Sequence, residues 1–206
     1  MTSGSDVAKR TLDIVVSGVG LIVTAPAQLI LAAVVARRLG RPVFFVQPRP
    51  GKDGVVFDLV KFRTMLPLDE ARGLVTDEDR LTTLGTLLRS TSLDELPTLW
   101  NVLRGDMSLV GPRPLLVRYL DRYSPRQARR HDVRPGVTGL AQVNGRNAIS
   151  WEDKLEMDVR YVETRSFAGD VGILVKTVAK VVRRDGVTAE GSVTTEEFRG
   201  SREGVA

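Results

Sequence analysis

The chain has 206 residues, with 30 Lys and Arg against 25 Asp and Glu, and a formal net charge of +5. Its 42% apolar content is enough for a packed core and excludes a disordered tail protein. There is no cysteine and one histidine, His131, which excludes disulfide scaffolds, thiol nucleophiles and multi-histidine metal sites and leaves acid–base chemistry to carboxylates assisted by Lys, Arg and Tyr.

Residues 14–36 carry no charged side chain. As a helix this run spans about 34 Å, enough to cross a hydrocarbon core of about 30 Å. Pro26 lies in its middle, where it removes a backbone hydrogen bond and crowds the carbonyl of Ile22. Basic residues flank both ends, Lys9 and Arg10 before and Arg37, Arg38 and Arg41 after, so both ends prefer the cytoplasm. These facts predict a re-entrant helix, broken at Ala25-Pro26, that enters and leaves by one leaflet. Thr24 and Gln28 are the candidates to satisfy the backbone at the break. A straight span, a buried soluble helix, and a signal peptide cleaved near Ala25-Pro26-Ala27 are the competing readings.

From residue 42 the pattern predicts an α+β domain, mainly helical with short strands. Residues 43–46 and 55–60 read as two strands of a hairpin, with Pro48, Pro50, Gly51 and Asp53-Gly54 as turn chemistry. Residues 66–83 are polar and read as a helix plus a loop. Helical spacing marks residues 81–88 and 96–103. Residues 115–123 form an amphipathic helix, and Ser124-Pro125 opens another. Residues 139–143 read as a short strand between the turns Arg134-Pro135-Gly136 and Asn144-Gly145-Arg146-Asn147. Ser150, with Asp153 three positions on, caps a helix running to Glu163. Residues 171–184, apolar apart from Lys176 and Lys180, read either as an interfacial amphipathic helix or as a packed helix with two exposed lysines. The organisation that follows is 1–41 as a membrane segment, 42–184 as a catalytic domain and 185–206 as a polar, frayed tail.

The sharpest local feature is Ser92-Leu93-Asp94-Glu95-Leu96-Pro97, two adjacent carboxylates before a proline. A capping box from Ser92 to Glu95 is the structural reading. Pro97 argues against it and favours a helix start near Asp94, with both carboxylates by the positive end of the helix dipole. Neighbours in a first turn point about 100° apart, so one can attack while the other moves a proton. Lys61, Arg63, Arg89, Arg113, Arg134 and Arg146 lie beside rigid or glycine-bearing turns, where side chains can approach a ligand. Residues 104–134 alone hold eight Arg and three Asp. Loop-fixed cations around a carboxylate pair suit a pyrophosphate substrate with a divalent metal. A solvated helix face is the plain alternative for the arginine run.

Several stretches together resemble the bacterial sugar transferases, the small monotopic phosphoglycosyl transferases. They are residues 9–13; Pro42-Val43-Phe44-Phe45-Val46-Gln47 with Arg49 and Gly51; Lys61-Phe62-Arg63-Thr64-Met65; residues 91–97; Leu99-Trp100-Asn101-Val102-Leu103; residues 105–114; residues 134–147; and Asp158-Val159 with Tyr161-Val162-Glu163. The matches run in order from about residue 9 to 182. The resemblance implies transfer of a phosphosugar from a UDP-sugar to undecaprenyl phosphate with release of UMP, through a two-step covalent route with Mg²⁺. It places Asp94 as nucleophile and metal contact and Glu95 as its partner. It puts Lys61, Arg63, Arg89, Arg113, Arg134 and Arg146 on phosphates, and makes Asp158 an acidic position of unassigned role. It implies a protein at the cytoplasmic face of the bacterial inner membrane, with no nucleic-acid partner and with a homo-oligomer admitted. Ala25 stands where the family usually has Ser before the hairpin proline, Pro48 and Pro50 replace charged and β-branched residues, and Thr98 replaces Gln. The rival readings are a membrane-tethered module that binds polyanions, nucleic acid or lipid phosphate, and an inactive polyprenyl-phosphate scaffold. Among the arginines the first offers only Tyr119 and Tyr123 for base stacking, and the second leaves the acidic pair without a use.

Overall fold

The computed structural model of the chain describes residues 3–145, 149–183 and 197–200. Helix α1 (Ser3–Leu39) is followed by the hairpin β1 (Phe44–Pro50) and β2 (Val56–Phe62), then α2 (Asp77–Arg80), α3 (Thr83–Ser90) and α4 (Thr98–Arg104). Strand β3 (Ser108–Val110), helix α5 (Pro125–Ala128), strand β4 (Gly136–Thr138), and helices α6 (Leu140–Asn144), α7 (Trp151–Thr164) and α8 (Phe167–Arg183) complete it. The domain is mostly helical with short strands, as expected. β1 and β2 pair antiparallel, Phe44 opposite Phe62 and Pro50 opposite Val56, and β3 pairs parallel to β4.

α1 is helical from end to end, Pro26 included, and the break expected at Ala25-Pro26 is not seen. Two local bonds stiffen the turn below the proline. The Thr24 hydroxyl donates to the Gly20 carbonyl at 2.6 Å, and the Gln28 amide donates to Thr24 Oγ1 at 2.9 Å. Thr24 and Gln28 thus act locally, as the sequence indicated, but in an unbroken helix.

The helix lies along the domain rather than projecting from it. Arg10 donates to the carbonyls of Val102 and Leu103 in the last turn of α4. Asp13, 3% exposed, accepts from the Leu109 amide and Ser108 hydroxyl. Lys9 pairs with buried Asp170 of α8 at 2.6 Å. Further along, a Cβ on Gly20 would sit 3.0 Å from Leu99, so α4 approaches closely there. At the far end Val35 and Leu39 pack with Phe62 and Leu88 in a buried cluster. The Lys9-to-Asp13 stretch is therefore a docking clamp as well as a positively charged flank.

A second cluster gathers Leu59, Val102, Met107, Val110, Val143, Tyr161 and Ile173 under the strands. Asn101, fully buried, ties α4 to β2: its amide donates to the Asp58 carbonyl and its Oδ1 accepts from the Val60 amide. Three elements depart from the sequence reading. Residues 140–144 are helical, and the paired strand precedes them at residues 136–138. Residues 117–122 form 3₁₀ turns, and residues 66–83 hold only short turns and the four-residue α2, capped by Thr76 and Asp79. The tail was expected to fray, yet Phe198 is 1% exposed in a cluster with Tyr119 and Leu155.

Candidate active site

Asp94 and Glu95 sit on a single 3₁₀ turn, Leu93–Glu95, between α3 and α4. Leu93 anchors it by packing on the Val35–Phe62–Leu88 cluster. Ser92 adopts φ 57°, ψ 18°, the left-handed region, and its hydroxyl caps nothing. The capping box is therefore absent, and so is a helix long enough for its dipole to bear on the carboxylates. A β-carbon in this region costs roughly 1–2 kcal/mol, strain placed directly before the dyad.

Charge around the pair comes from side chains instead. Lys61 Nζ on β2 lies 2.5 Å from Glu95 Oε1, and Arg113 Nη2 lies 3.0 Å from the same oxygen. Lys61 is held in place because its neighbour Val60 is bonded on both sides, its amide by Asn101 and its carbonyl by the Thr98 hydroxyl. Arg89 on α3 donates to the Thr64 hydroxyl at 3.1 Å and adds a third positive charge near Asp94. α3 can come this close because Gly85 has no side chain: a Cβ there would meet the Thr64 carbonyl oxygen at 1.9 Å.

The two carboxylates are driven apart electrostatically. Burial pushes Glu95 up, but Lys61 and Arg113 together outweigh it and hold the group well below the usual carboxylate range. Asp94 moves the other way, to about 6, because burial and the neighbouring Glu95 charge outweigh Lys61, Arg113 and Arg89. Burial lowers Lys61 despite its partner. No described residue hydrogen-bonds the Asp94 carboxylate. One acid is thus a permanent anion gripping two cations, and the other is a high-energy anion without a partner.

Among the described residues no group of three or more His, Cys, Asp or Glu side chains converges on one point. A divalent cation here would take one protein carboxylate and complete its shell from phosphate oxygens and water, a common arrangement for Mg²⁺. The free carboxylate of Asp94 fits that requirement, whereas Glu95 already holds Lys61 and Arg113 through Oε1.

The other sequence candidates are placed differently. Arg63 donates to the backbone carbonyls of Leu39, Gly40 and Arg41, so it caps the end of α1. Arg134 donates to the Gly105 carbonyl at 2.8 Å. Asp158, 4% exposed, forms a double hydrogen bond to Arg130, at 3.1 and 2.7 Å, below the site. Arg146 lies outside the described residues. Every arginine from Arg104 to Arg134 has a carboxylate or carbonyl partner, Arg126 with Glu156 and Glu163 and Arg122 with Glu197 among them.

Two guanidinium groups that sequence reasoning did not assign to this site hold the Pro112-Arg113-Pro114 turn. Arg49 donates to the Pro114 carbonyl at 3.3 Å, and Arg130 donates to the Arg113 carbonyl at 2.7 Å. Burial, with Arg113 nearby, lowers Arg49 to about 10. Its position between Pro48 and Pro50 was the only local signal.

Residues 4–184 match the family described as bacterial sugar transferase. The chain belongs to that family. It is 52% identical over 196 residues to the sugar transferase EpsL of Bacillus subtilis, covering 95% of this chain and 97% of that one. It is also 39% identical to the undecaprenyl-phosphate galactose phosphotransferase of Salmonella typhimurium, over 86% of this chain and 41% of that protein. A UDP-glucose:undecaprenyl-phosphate glucose-1-phosphate transferase of Caulobacter vibrioides is 38% identical over 87% of this chain and 72% of its own length. The chain thus spans nearly all of one such bacterial sugar transferase and about two fifths of another.

Proposed function

We propose that this bacterial sugar transferase moves a sugar phosphate from a UDP-sugar to undecaprenyl phosphate and releases UMP. The observation that carries the reading is the split dyad: an unbonded carboxylate, Asp94, beside a second carboxylate that fixes Lys61 and Arg113. An Asp94 oxygen attacks the sugar-bearing phosphorus of the donor. The bond from that phosphorus to the bridging oxygen breaks, and UMP leaves with the electron pair. The acyl phosphate formed on Asp94 is activated for a second displacement. A phosphate oxygen of the lipid then attacks the same phosphorus, and the Asp94 carboxylate departs, leaving a lipid diphosphate sugar.

Lys61, Arg113 and Arg89 neutralise charge on the diphosphate. Asp94 would be the protein ligand of a Mg²⁺ ion, which would supply further charge neutralisation on the diphosphate. A phosphate monoester is already largely dianionic at pH 7, its second pKa being about 6, so the acceptor needs no strong base. Glu95, held far below that range, serves better by positioning the two cations. Isotopically labelled donor alone, without lipid, should leave labelled sugar on a peptide containing Asp94. Complete absence of that adduct under conditions of full turnover would end the two-step account.

The pH dependence follows from Asp94. Only its anion attacks, so UMP release by the protein with donor alone should rise tenfold per pH unit below about pH 6 and level off above it. A flat profile between pH 5 and 7 in a stopped-flow burst measurement would remove Asp94 as the titrating nucleophile.

The protein is monotopic, at the cytoplasmic face of the inner membrane. α1 is about 55 Å long, apolar enough to cross a bilayer, and touches its own domain near both ends and in the middle. A helix packed along its domain in this way cannot pass through a bilayer and leave the domain behind. Its outward face, with Val15, Val19, Ile22, Val23, Leu29 and Ile30 exposed, lies in the leaflet while both ends of the unbroken helix stay on the domain's side. Single cysteines at Gly4 and Arg38 should therefore both react with an impermeant reagent from the cytoplasmic side of inverted vesicles. Reaction from opposite sides would establish a spanning helix.

A further inference from the structure

The C-terminal segment around Phe198 reaches a place where it can act on the active site. Its side chain is 1% exposed and enclosed by three rings. Tyr123 stacks on it at 5.6 Å, Tyr119 meets it edge-on at 5.7 Å, and Trp151 lies tilted at 5.4 Å. Polar bonds fix the backbone on both sides of the ring. The Phe198 amide donates to the Tyr119 hydroxyl at 3.3 Å, and Arg122 donates to the Phe198 carbonyl. Arg118 and Arg122 hold the Glu197 carboxylate at 3.2 and 2.9 Å. An aromatic anchor flanked by a doubly paired acid is a docked peptide, and Phe198 is the one aromatic residue in the sequence from 185 to 206.

The Tyr123 ring also carries the Arg130 guanidinium, 5.6 Å from its centroid, and its hydroxyl accepts from Arg130 at 3.4 Å. Arg130 also donates to the Arg113 carbonyl at 2.7 Å, and Arg113 Nη2 reaches Glu95 at 3.0 Å. A continuous chain of contacts therefore runs from Phe198 through Tyr123 and Arg130 to the backbone of Arg113. We propose that Phe198 is a positioning residue: the docked tail presses Tyr123 onto Arg130 and so holds Arg113 on Glu95, making full activity depend on tail occupancy of the aromatic cage. This rests on the functional reading above only for its kinetic consequence. The mechanical link to Arg113 stands on the contacts alone.

The test uses the full chain carrying Phe198→Ala, in a Trp100→Phe background so that fluorescence reports on Trp151. The first readout is the rate at which phenylglyoxal modifies Arg113, followed by peptide mass, with exposed Arg38 as internal reference. Undocking should raise the Arg113 rate several-fold and leave Arg38 unchanged. The second readout is kcat/KM for UMP release, which should fall by about 10-fold, since small misplacements of a positioned group carry penalties up to about 10²-fold. A synthetic peptide of residues 194–202 should restore the Trp151 signal, Arg113 protection and kcat/KM, and the same peptide with alanine for Phe198 should restore none. Phe198→Leu, which keeps the cage filled, should fold and give intermediate values. The proposal is overturned if Arg113 reacts at the wild-type rate in both variants. It is equally overturned if the peptide binds, by Trp151 fluorescence, without protecting Arg113. Absence of UMP release from the unmodified chain would defeat the transferase reading instead, and the Arg113 rates would still decide the coupling.

Discussion

Replacing Asp94 with asparagine is expected to abolish turnover, lowering UMP release by at least about 10³-fold, while making the protein more stable at neutral pH. The two effects share one cause. In the folded chain the Asp94 carboxyl titrates at about 6 against 3.8 for the free group, because it is buried beside the Glu95 charge. A raised folded pKa means that the folded state binds the proton more tightly than the unfolded chain does. The penalty of holding the anion is therefore absent below about pH 4, grows through the interval up to pH 6, and is constant above it. A shift of about two units corresponds to ~3 kcal/mol. Asparagine removes the charge and most of this penalty, so up to about 5–10 °C is expected in thermal midpoint at pH 7.5 for a chain of this size. The gain should vanish at pH 4. Calorimetry of both proteins at the two pH values, with chelator present so that no cation offsets the charge, measures it. An Asp94→Asn protein no more stable than the original at pH 7.5 would mean that the site does not strain its nucleophile.

The same tension explains why this part of the site was legible in the sequence. Two acidic residues in a short apolar segment before a proline conflict with stable local structure, and such conflicts collect at functional positions. The hairpin was legible because Asp53-Gly54 carries turn chemistry between two apolar runs, although Pro48 and Pro50, read as part of the turn, lie in β1 opposite Asp58 and Val56; α7 was legible because Ser150 and Asp153 form its cap within four residues. What stayed hidden depends on residues far apart in the chain. Arg63 reads as a phosphate ligand beside a strand. It is drawn instead to the carbonyls at the end of α1, where Gly40 turns the chain at φ 78° and leaves acceptors open. Residues 139–143 read as a strand because they lie between two turn signals, yet β3 already has its partner at residues 136–138, and the chain turns into α6. Nothing local marks Phe198 as an anchor, because its cage is built from residues 119, 123 and 151. The unbroken α1 is a further case. Pro26 removes one bond, but the Thr24 and Gln28 side chains reinforce the adjacent turn, and the helix is fixed by α4 before the proline and by the Phe62–Leu88 cluster after it.

Asp158→Ala should have the largest cost to stability. Arg130 is 2% exposed and Asp158 4%, and the carboxylate is the guanidinium's only anionic partner among the described residues. Removing it leaves a buried charge uncompensated, which costs about 3–5 kcal/mol, a large share of the 5–15 kcal/mol that typically separates folded from unfolded states. Urea unfolding should show this as a midpoint shift with unchanged slope. A buried pair need not be stabilising overall, however, because hydrophobic residues of similar size often replace one at no loss. The double variant Arg130→Met, Asp158→Leu should therefore recover most of the lost stability. It should not recover activity. Methionine cannot donate to the Arg113 carbonyl, so the turn loses the bond at 2.7 Å that Arg130 supplies and keeps Arg49 on Pro114 and the Gly136 amide on Pro112. Recovery of stability with UMP release still depressed by about 10-fold or more would separate the two duties of the pair. If the double variant regains both, Arg130 and Asp158 fill space in the core, and the positioning of Arg113 comes from Arg49, the Gly136 amide and Glu95.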